Sequence, residues 1–272
     1  MADLPLRLFH IGYSAETRAA LEPGFELLDN LENARPDWFE YWPVRRWLLT
    51  QPLQEERFYG FFSPKFRAKT GLGAAQVAEQ LQRHGAGADV LLFSPFPTQM
   101  ACYLNIFEQG EVSHPGFMQT CMEALQAIGR PAPLPQLVMD CRQTVFSNYF
   151  VARPAFWREW LGWTEPLFAL CEDPASSIGA RLRAPTSYAG SVQLKVFLIE
   201  RIASLLLTLQ PRWRVVAHDP FGFRHASEPA AVPQTLAVCS DALKQAYRNQ
   251  GFDSYLQAFM SIRQSILQSS KP

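Results

Sequence analysis

The chain has 272 residues, with 25 basic and 25 acidic side chains that cancel to a formal net charge of zero. That length suits one large domain or two small ones, and a 48% hydrophobic content supplies a sizeable buried core. A balanced charge gives no global electrostatic case for nucleic acid or an anionic membrane as partner, although a local basic cluster can still hold a phosphate.

The five cysteines, Cys102, Cys121, Cys141, Cys171 and Cys239, are scattered and form no Cys-x-x-Cys pair. This argues against a zinc site or a disulfide framework and reads as buried free thiols in a reducing cytoplasm. The opening residues Met1-Ala-Asp-Leu-Pro-Leu-Arg7 lack the apolar core of a signal peptide. The most apolar stretch, 196–209, is interrupted by Glu200 and Arg201, so no transmembrane segment is expected and the localisation reads as cytoplasmic. Peripheral membrane contact and oligomeric state stay open.

In chain order, residues 6–12 read as a first strand ending in a Gly-Tyr-Ser turn, and 23–31 as a second strand with its loop. Residues 36–49 are rich in Trp and Tyr; Pro43 marks a break or a helix start, and the aromatics suit either a core or a contact surface. Two stretches then say most: Tyr59-Gly-Phe-Phe-Ser-Pro-Lys-Phe-Arg-Ala-Lys-Thr-Gly71 and Asp89-Val-Leu-Leu-Phe-Ser-Pro-Phe-Pro97. Each is an apolar run that ends in Ser-Pro, the pattern of a buried strand delivering a polar loop. Between them, Ala75, Val77, Ala78 and Leu81 predict a helix over 73–84. Strand, helix, strand is the minimal unit of a parallel sheet, which binds ligands beyond the carboxyl ends of its strands. The loops holding Ser63 and Ser94 are therefore expected to open onto one crevice, with Lys65 and Lys69 just beyond the first.

Downstream, helices are expected over 100–107 and 114–128, a Pro-rich surface loop over 130–135, and a strand over 144–151. An aromatic helix over 153–170, a mobile loop over 173–190 and the strongest helix over 191–209 follow. A short strand over 214–217 and two helices, 234–248 and 252–267, close the chain. No Walker loop, His-Glu-x-x-His or Gly-x-Ser-x-Gly motif occurs. Gly71-Leu-Gly73 begins a dinucleotide fingerprint, but Gln76 stands where its third glycine belongs.

Four segments and a late helix carry a family likeness: Gly60-Phe-Phe-Ser-Pro-Lys-Phe-x-x-Lys-Thr70, Asp89-Val-x-x-Phe-Ser-Pro-Phe96, Asn105-Ile-Phe-Glu-Gln-Gly-Glu-Val-Ser-His-Pro-Gly116, Phe146-Ser-Asn-Tyr-Phe-Val-Ala-Arg-Pro-x-Phe-Trp157, and Leu198-Ile-Glu-Arg-Ile202. In this order, over about residues 5–220, the chain resembles bacterial glycosyltransferases of the GT-A fold from capsule and surface-polysaccharide synthesis. The resemblance implies an α/β fold, with a GT-A-like (Rossmann-like) mixed, mostly parallel sheet flanked by helices. It makes 1–220 a nucleotide-sugar-binding domain, with 221–272 a helical C-terminal extension packed on it. Its partners would be a nucleotide-sugar donor and a glycan or lipid-linked acceptor. One departure matters: the typical GT-A enzyme holds a divalent metal with Asp-x-Asp after a central strand, and here that place is Ser94-Pro-Phe-Pro97. Asp89 is at the wrong end of that strand, so metal-independent transfer is expected and no cofactor beyond the donor is implied.

Without a metal, cations and amides must stabilise the leaving diphosphate. Lys65 and Lys69 share one face if their loop enters a helix, and Arg153 is a further candidate; the alternative is solvated surface charge. An acceptor hydroxyl needs a base if the anomeric centre inverts, and Glu108, Glu111 and His114 form the densest titratable cluster in an expected polar loop. The alternative there is a cap for the next helix and a structural histidine. Asn148 would bond a sugar hydroxyl or a backbone group. Glu200 and Arg201, being adjacent, face different ways, so one of them can reach the crevice or a loop; the alternative is a solvated helix face. The expected function is sugar transfer from a nucleotide donor. The rival is a non-catalytic relative acting as a binding or assembly protein, and a third reading is another phosphate-ligand enzyme on the same kind of sheet.

Overall fold

The computed structural model describes residues 4–188, 190–222 and 232–269. Its strands are β1 (Leu6–Gly12), β2 (Glu26–Asp29), β3 (Phe58–Phe62), β4 (Val90–Leu92), β5 (Phe150–Ala152) and β6 (Val215–Ala217). They form one sheet in the order β2-β1-β3-β5-β4-β6. β1 pairs parallel with β2 and β3, and β4 parallel with β6, while β5 runs antiparallel between β3 and β4. The fold is thus α/β, with a mixed, mostly parallel, Rossmann-like sheet flanked by helices.

Alternation along the strands assigns the two faces. Phe9, Ile11, Tyr59, Phe61, Val90, Leu92 join the larger core cluster, and Leu8, Phe58, Phe62, Leu91 and Val151 join a second one on the opposite face. Close strand pairing requires the glycine in β3, since a Cβ at Gly60 would sit 2.9 Å from Val151 Cγ2 and 3.1 Å from Leu8 Cδ2.

The helices are α1 (Ala15–Ala19), α2 (Tyr41–Thr50), α3 (Phe66–Thr70), α4 (Ala74–His84), α5 (Pro97–Cys102), α6 (Ile106–Ser113), α7 (Phe117–Ala127), α8 (Pro154–Glu172), α9 (Ser177–Leu182), α10 (Leu194–Leu209), α11 (Gln234–Gln250) and α12 (Asp253–Ser269). Buried side chains of α2, α7, α8 and α10 build the larger core, and those of α3 and α4 the smaller. Of the aromatics in 36–49, Trp38 is fully buried and Tyr41 nearly so, Trp42 and Trp47 pack on the same core half-buried, and Phe39 is exposed. Gln76, which stands in the third-glycine place, accepts a 2.9 Å hydrogen bond from the Gly73 amide and so caps α4. Among the described residues no helix is long and apolar enough to cross a membrane.

Several expected boundaries shift, each for a local reason. The single helix expected over 100–107 is two, because Asn105 is extended and caps α6 by accepting from the Phe107 and Glu108 amides at 2.9 Å. The polar loop expected around Glu108 and Glu111 is therefore α6 itself. The strand expected over 144–151 shrinks to β5, because Ser147 (φ 60°) and Asn148 (φ 53°) turn the chain out of extended conformation. The expected mobile loop over 173–190 contains α9, capped by the Ser176 hydroxyl on the Gly179 amide at 2.9 Å. At the far end, α11 and α12 pack on α5. Ser240 Oγ donates to Ala101 O at 2.8 Å and the buried Lys244 ammonium to Met100 O and Tyr103 O at 2.6 and 3.2 Å.

Candidate functional site

Strand direction decides which loops meet. The carboxyl ends of β1, β3 and β4 and the amino end of β5 lie at one edge of the sheet. Tyr13, Ser63, Phe96 and Asn148, which follow or precede those ends, border one cavity of about 1090 Å³. α10 contributes Glu200 and Arg201 to its wall, and the turn before α2 contributes Phe39 and Glu40. Among the described residues, every non-glycine residue with positive φ borders this cavity: Asn33, Phe39, Phe96, Ser147, Asn148 and Ser191. Such conformations cost about 1–3 kcal/mol where the residue is bulky, less for Asn, and they collect where function over-determines the backbone.

The first Ser-Pro loop does enter a helix. Lys65 sits at the start of α3 and Lys69 one turn on, and both border the cavity. Lys65 is exposed, whereas Lys69 is half-buried and donates to Ser147 Oγ at 2.8 Å. The Lys69 ammonium also lies 5.5 and 5.6 Å from the ring centroids of Phe96 and Tyr149. Burial lowers its pKa; Glu200 and Glu40 pull it up and Lys65 pushes it down. Ser147 is held from the other side as well, its amide donating to Glu200 Oε1 at 2.6 Å. Lys69, Ser147 and Glu200 thus form one chain of contacts that holds the left-handed turn and aims an ammonium at the cavity. Next in that turn, Asn148 Oδ1 has no hydrogen-bond partner among the described residues.

Glu40 faces the same ammonium groups. Its uncovered surface is cavity wall, and its pKa is raised, first by burial and then by Glu200, with Lys69 and Lys65 opposing. Beside it the Tyr13 hydroxyl is buried without a partner among the described residues; burial, with Glu40 and Tyr149 nearby, raises its pKa. The turn carrying Glu40 is anchored by a partly buried ionic network. Lys195, 1% exposed, pairs with Asp37 at 2.5 Å, and Arg35 bridges Asp37 and Glu172 at 2.9 and 2.7 Å. Burial opposes ionisation of Asp37, but its bonds to Arg35 and Lys195 prevail and hold it down at about 2.

Of the residues singled out in the sequence, Ser63, Lys65, Lys69, Asn148 and Glu200 come together here. Ser63 Oγ lies 2.7 Å from the Tyr149 hydroxyl. Ser94 is buried behind the wall, where its hydroxyl accepts from the Phe146 amide at 2.9 Å and supports the strained turn. Arg153 lies at the opposite edge of the sheet, bonding Ala88 O at 3.2 Å and covering the Phe58 ring at 4.3 Å. The reason is the antiparallel course of β5, which brings its start to the cavity and carries its end away.

Glu108, Glu111 and His114 do not border the cavity. Glu108 accepts from the Leu104 amide at 2.7 Å and from Arg263 at 2.6 Å, tying α6 to α12. Glu111 accepts from the Gly116 and Met118 amides at 2.8 and 2.6 Å, at the start of α7. His114 is buried against Phe197, with ring centroids 4.3 Å apart, and burial, with Arg201 nearby, lowers its pKa. Arg201 is committed to Ile106 O, Phe197 O and Gln109 Oε1 at 2.9, 2.9 and 2.6 Å. Sequence reasoning passed over Tyr13, Phe39 and Glu40. The available signal was a single acid inside the aromatic run 38–47.

Among the described residues no three His, Cys, Asp or Glu side chains converge as metal ligands. Glu40 and Glu200 share their cavity with two ammonium groups, a donor set that does not fit a cation bridging a diphosphate. No family model and no curated protein matches the chain. Among solved structures, one described as the bifunctional glycosyltransferase WbbM in its apo form superposes with a TM-score of 0.46 at 14% identity. The match covers 84% of this chain and 48% of that one, so the chain spans about half the length of the protein it matches.

Proposed function

We propose that this protein is a glycosyltransferase that moves a sugar from a nucleoside-diphosphate donor to a glycan or lipid-linked acceptor without a divalent metal. The observation that carries this reading is the placement of Lys65 and Lys69 opposite Glu40 and Glu200 in one large cavity at the carboxyl edge of the sheet. A cavity of about 1090 Å³ is at the upper end for small-molecule sites and has room for a two-part substrate. Phosphates bind ammonium groups held in partly desolvated settings, and Lys69 is so held by Ser147.

In this reading Lys69 and Lys65 stabilise charge that grows on the leaving diphosphate. Asn148 Oδ1, lacking a partner, accepts a hydrogen bond from a donor hydroxyl. Glu40 is the base: raised proton affinity suits a carboxylate that must take a proton near neutral pH. The acceptor oxygen bonds to the anomeric carbon, the bond from that carbon to the diphosphate breaks with its electron pair leaving on phosphate oxygen, and the acceptor proton passes to Glu40. Glu200 holds the Ser147 turn and keeps Lys69 in place.

Calorimetry against UDP-, GDP-, dTDP- and CMP-sugars in EDTA, then in Mn²⁺, tests it, with product anomers followed by NMR. The expected result is binding of one nucleoside-diphosphate sugar in EDTA and turnover with an added acceptor. Binding only with Mn²⁺ would overturn the metal-independent assignment. Binding with no turnover for any acceptor would favour the non-catalytic relative.

A further inference from the structure

The turn that delivers Glu40 has an unexpected residue at its tightest point. Phe39 adopts φ 47° and ψ −133°, a region that suits glycine and opposes a bulky side chain. Its neighbours keep it there. Trp38 is fully buried, with its indole N–H on Glu172 at 3.0 Å and the Lys195 ammonium 4.1 Å from its ring centroid. Tyr41, two residues on, is buried with its hydroxyl on Glu165 at 3.0 Å. Phe39 itself is 37% exposed, borders the cavity and stacks on no described aromatic ring.

We propose that Phe39, Glu40 and Tyr13 form a subsite for a sugar ring of the acceptor, with Phe39 as the residue that sets its specificity. This rests on the transferase reading and names the acceptor group that the site takes. A pyranose presents an apolar C–H face rimmed by hydroxyls. An exposed aromatic ring beside a carboxylate that accepts, and a buried tyrosine hydroxyl that lacks a partner, matches that alternation. An alkyl chain would leave both polar groups unsatisfied.

The test is saturation-transfer NMR with the methyl α- and β-glycosides of glucose, galactose, mannose and N-acetylglucosamine. It is run on the wild type, Phe39→Gly and Phe39→Tyr, with nucleotide-sugar binding measured by calorimetry on the same samples. Glycine fits this backbone, so Phe39→Gly should keep the fold, with a melting temperature no lower than wild type. The expected result is transfer to at least one glycoside by wild type and Phe39→Tyr, and a loss of about tenfold or more in glycoside affinity in Phe39→Gly. Donor affinity should stay within about twofold in all three, the donor phosphates being held elsewhere. No transfer in the wild type, or equal transfer in Phe39→Gly, overturns the subsite. Failure of every nucleotide to bind would instead overturn the transferase reading, so the two failures are distinguishable.

Discussion

Burial of the Glu40 carboxylate, with Glu200 nearby, raises its proton affinity, and a hydrogen bond to its own backbone, Lys69 and Lys65 offset this only in part. A carboxyl whose folded pKa is raised favours the fold at low pH, and that contribution is lost as pH rises through the folded value. Glu40→Gln should therefore melt higher than wild type at neutral and alkaline pH, with the difference vanishing in acid; scanning fluorimetry from pH 4 to 9 reads this. The same variant should lose about 10²–10⁴ in kcat while still binding donor. In wild type, the acidic limb of kcat/KM should lie above the usual glutamate range, since the base must be ionised to work. For the phosphates, Lys69→Met should weaken nucleotide-sugar binding by about 10–100-fold, as expected for a charge-assisted bond of about 1.5–3 kcal/mol. Lys65→Ala should cost less, because that ammonium is exposed and not aligned by a partner such as Ser147. Titration calorimetry of the two variants side by side measures the difference. That Lys65 and Lys69 stand a turn apart at the cavity was legible in the sequence because four-residue spacing after Ser-Pro is a local pattern. Glu40 was not, because its raised proton affinity comes first from burial and then from Glu200, and both depend on segments far from it in the chain.

At the scale of elements, β3 and β5 decide the geometry of the site. Gly60 lets β5 approach, and a Cβ there would crowd both Val151 and Leu8. Gly60→Val should cost about 1–3 kcal/mol despite the high strand propensity of valine, because overpacking between strands outweighs propensity. Urea unfolding of the variant against wild type measures it. The apolar runs that became β1, β3 and β4 were readable from period and proline alone, as was the start of α8 at Pro154. The direction of β5 was not, since a three-residue apolar run, Phe150–Ala152, pairs equally well either way as a pattern. Pairing antiparallel to both neighbours, it exchanged Arg153 for Asn148 at the cavity.

At the scale of the whole molecule, the C-terminal helices support the site from behind. Asp241 accepts from the Cys141 amide at 2.7 Å, and Arg248 donates to Val138 O at 2.6 Å. Those two bonds hold the segment 138–141, while Lys244 on Met100 and Tyr103 secures α5, which follows directly from the cavity residue Phe96. Removing residues 221–272 would uncover Ala101 and Cys102, which pack with Ala237 and Ile266, and would leave those backbone groups without partners. The truncated chain should melt well below the full chain or aggregate, and should lose nucleotide-sugar binding; circular dichroism and calorimetry together check this. The sequence by itself determined the α/β class, most elements and the one-turn spacing of Lys65 and Lys69, because hydrophobic period, proline placement and short spacings act within a few residues. Only the tertiary structure decided that Glu108 and Glu111 serve α6, α7 and α12, and that Tyr13, Phe39 and Glu40 meet Lys69 and Glu200. Those meetings depend on strand direction and on the packing of segments far apart in the chain, which no local pattern encodes.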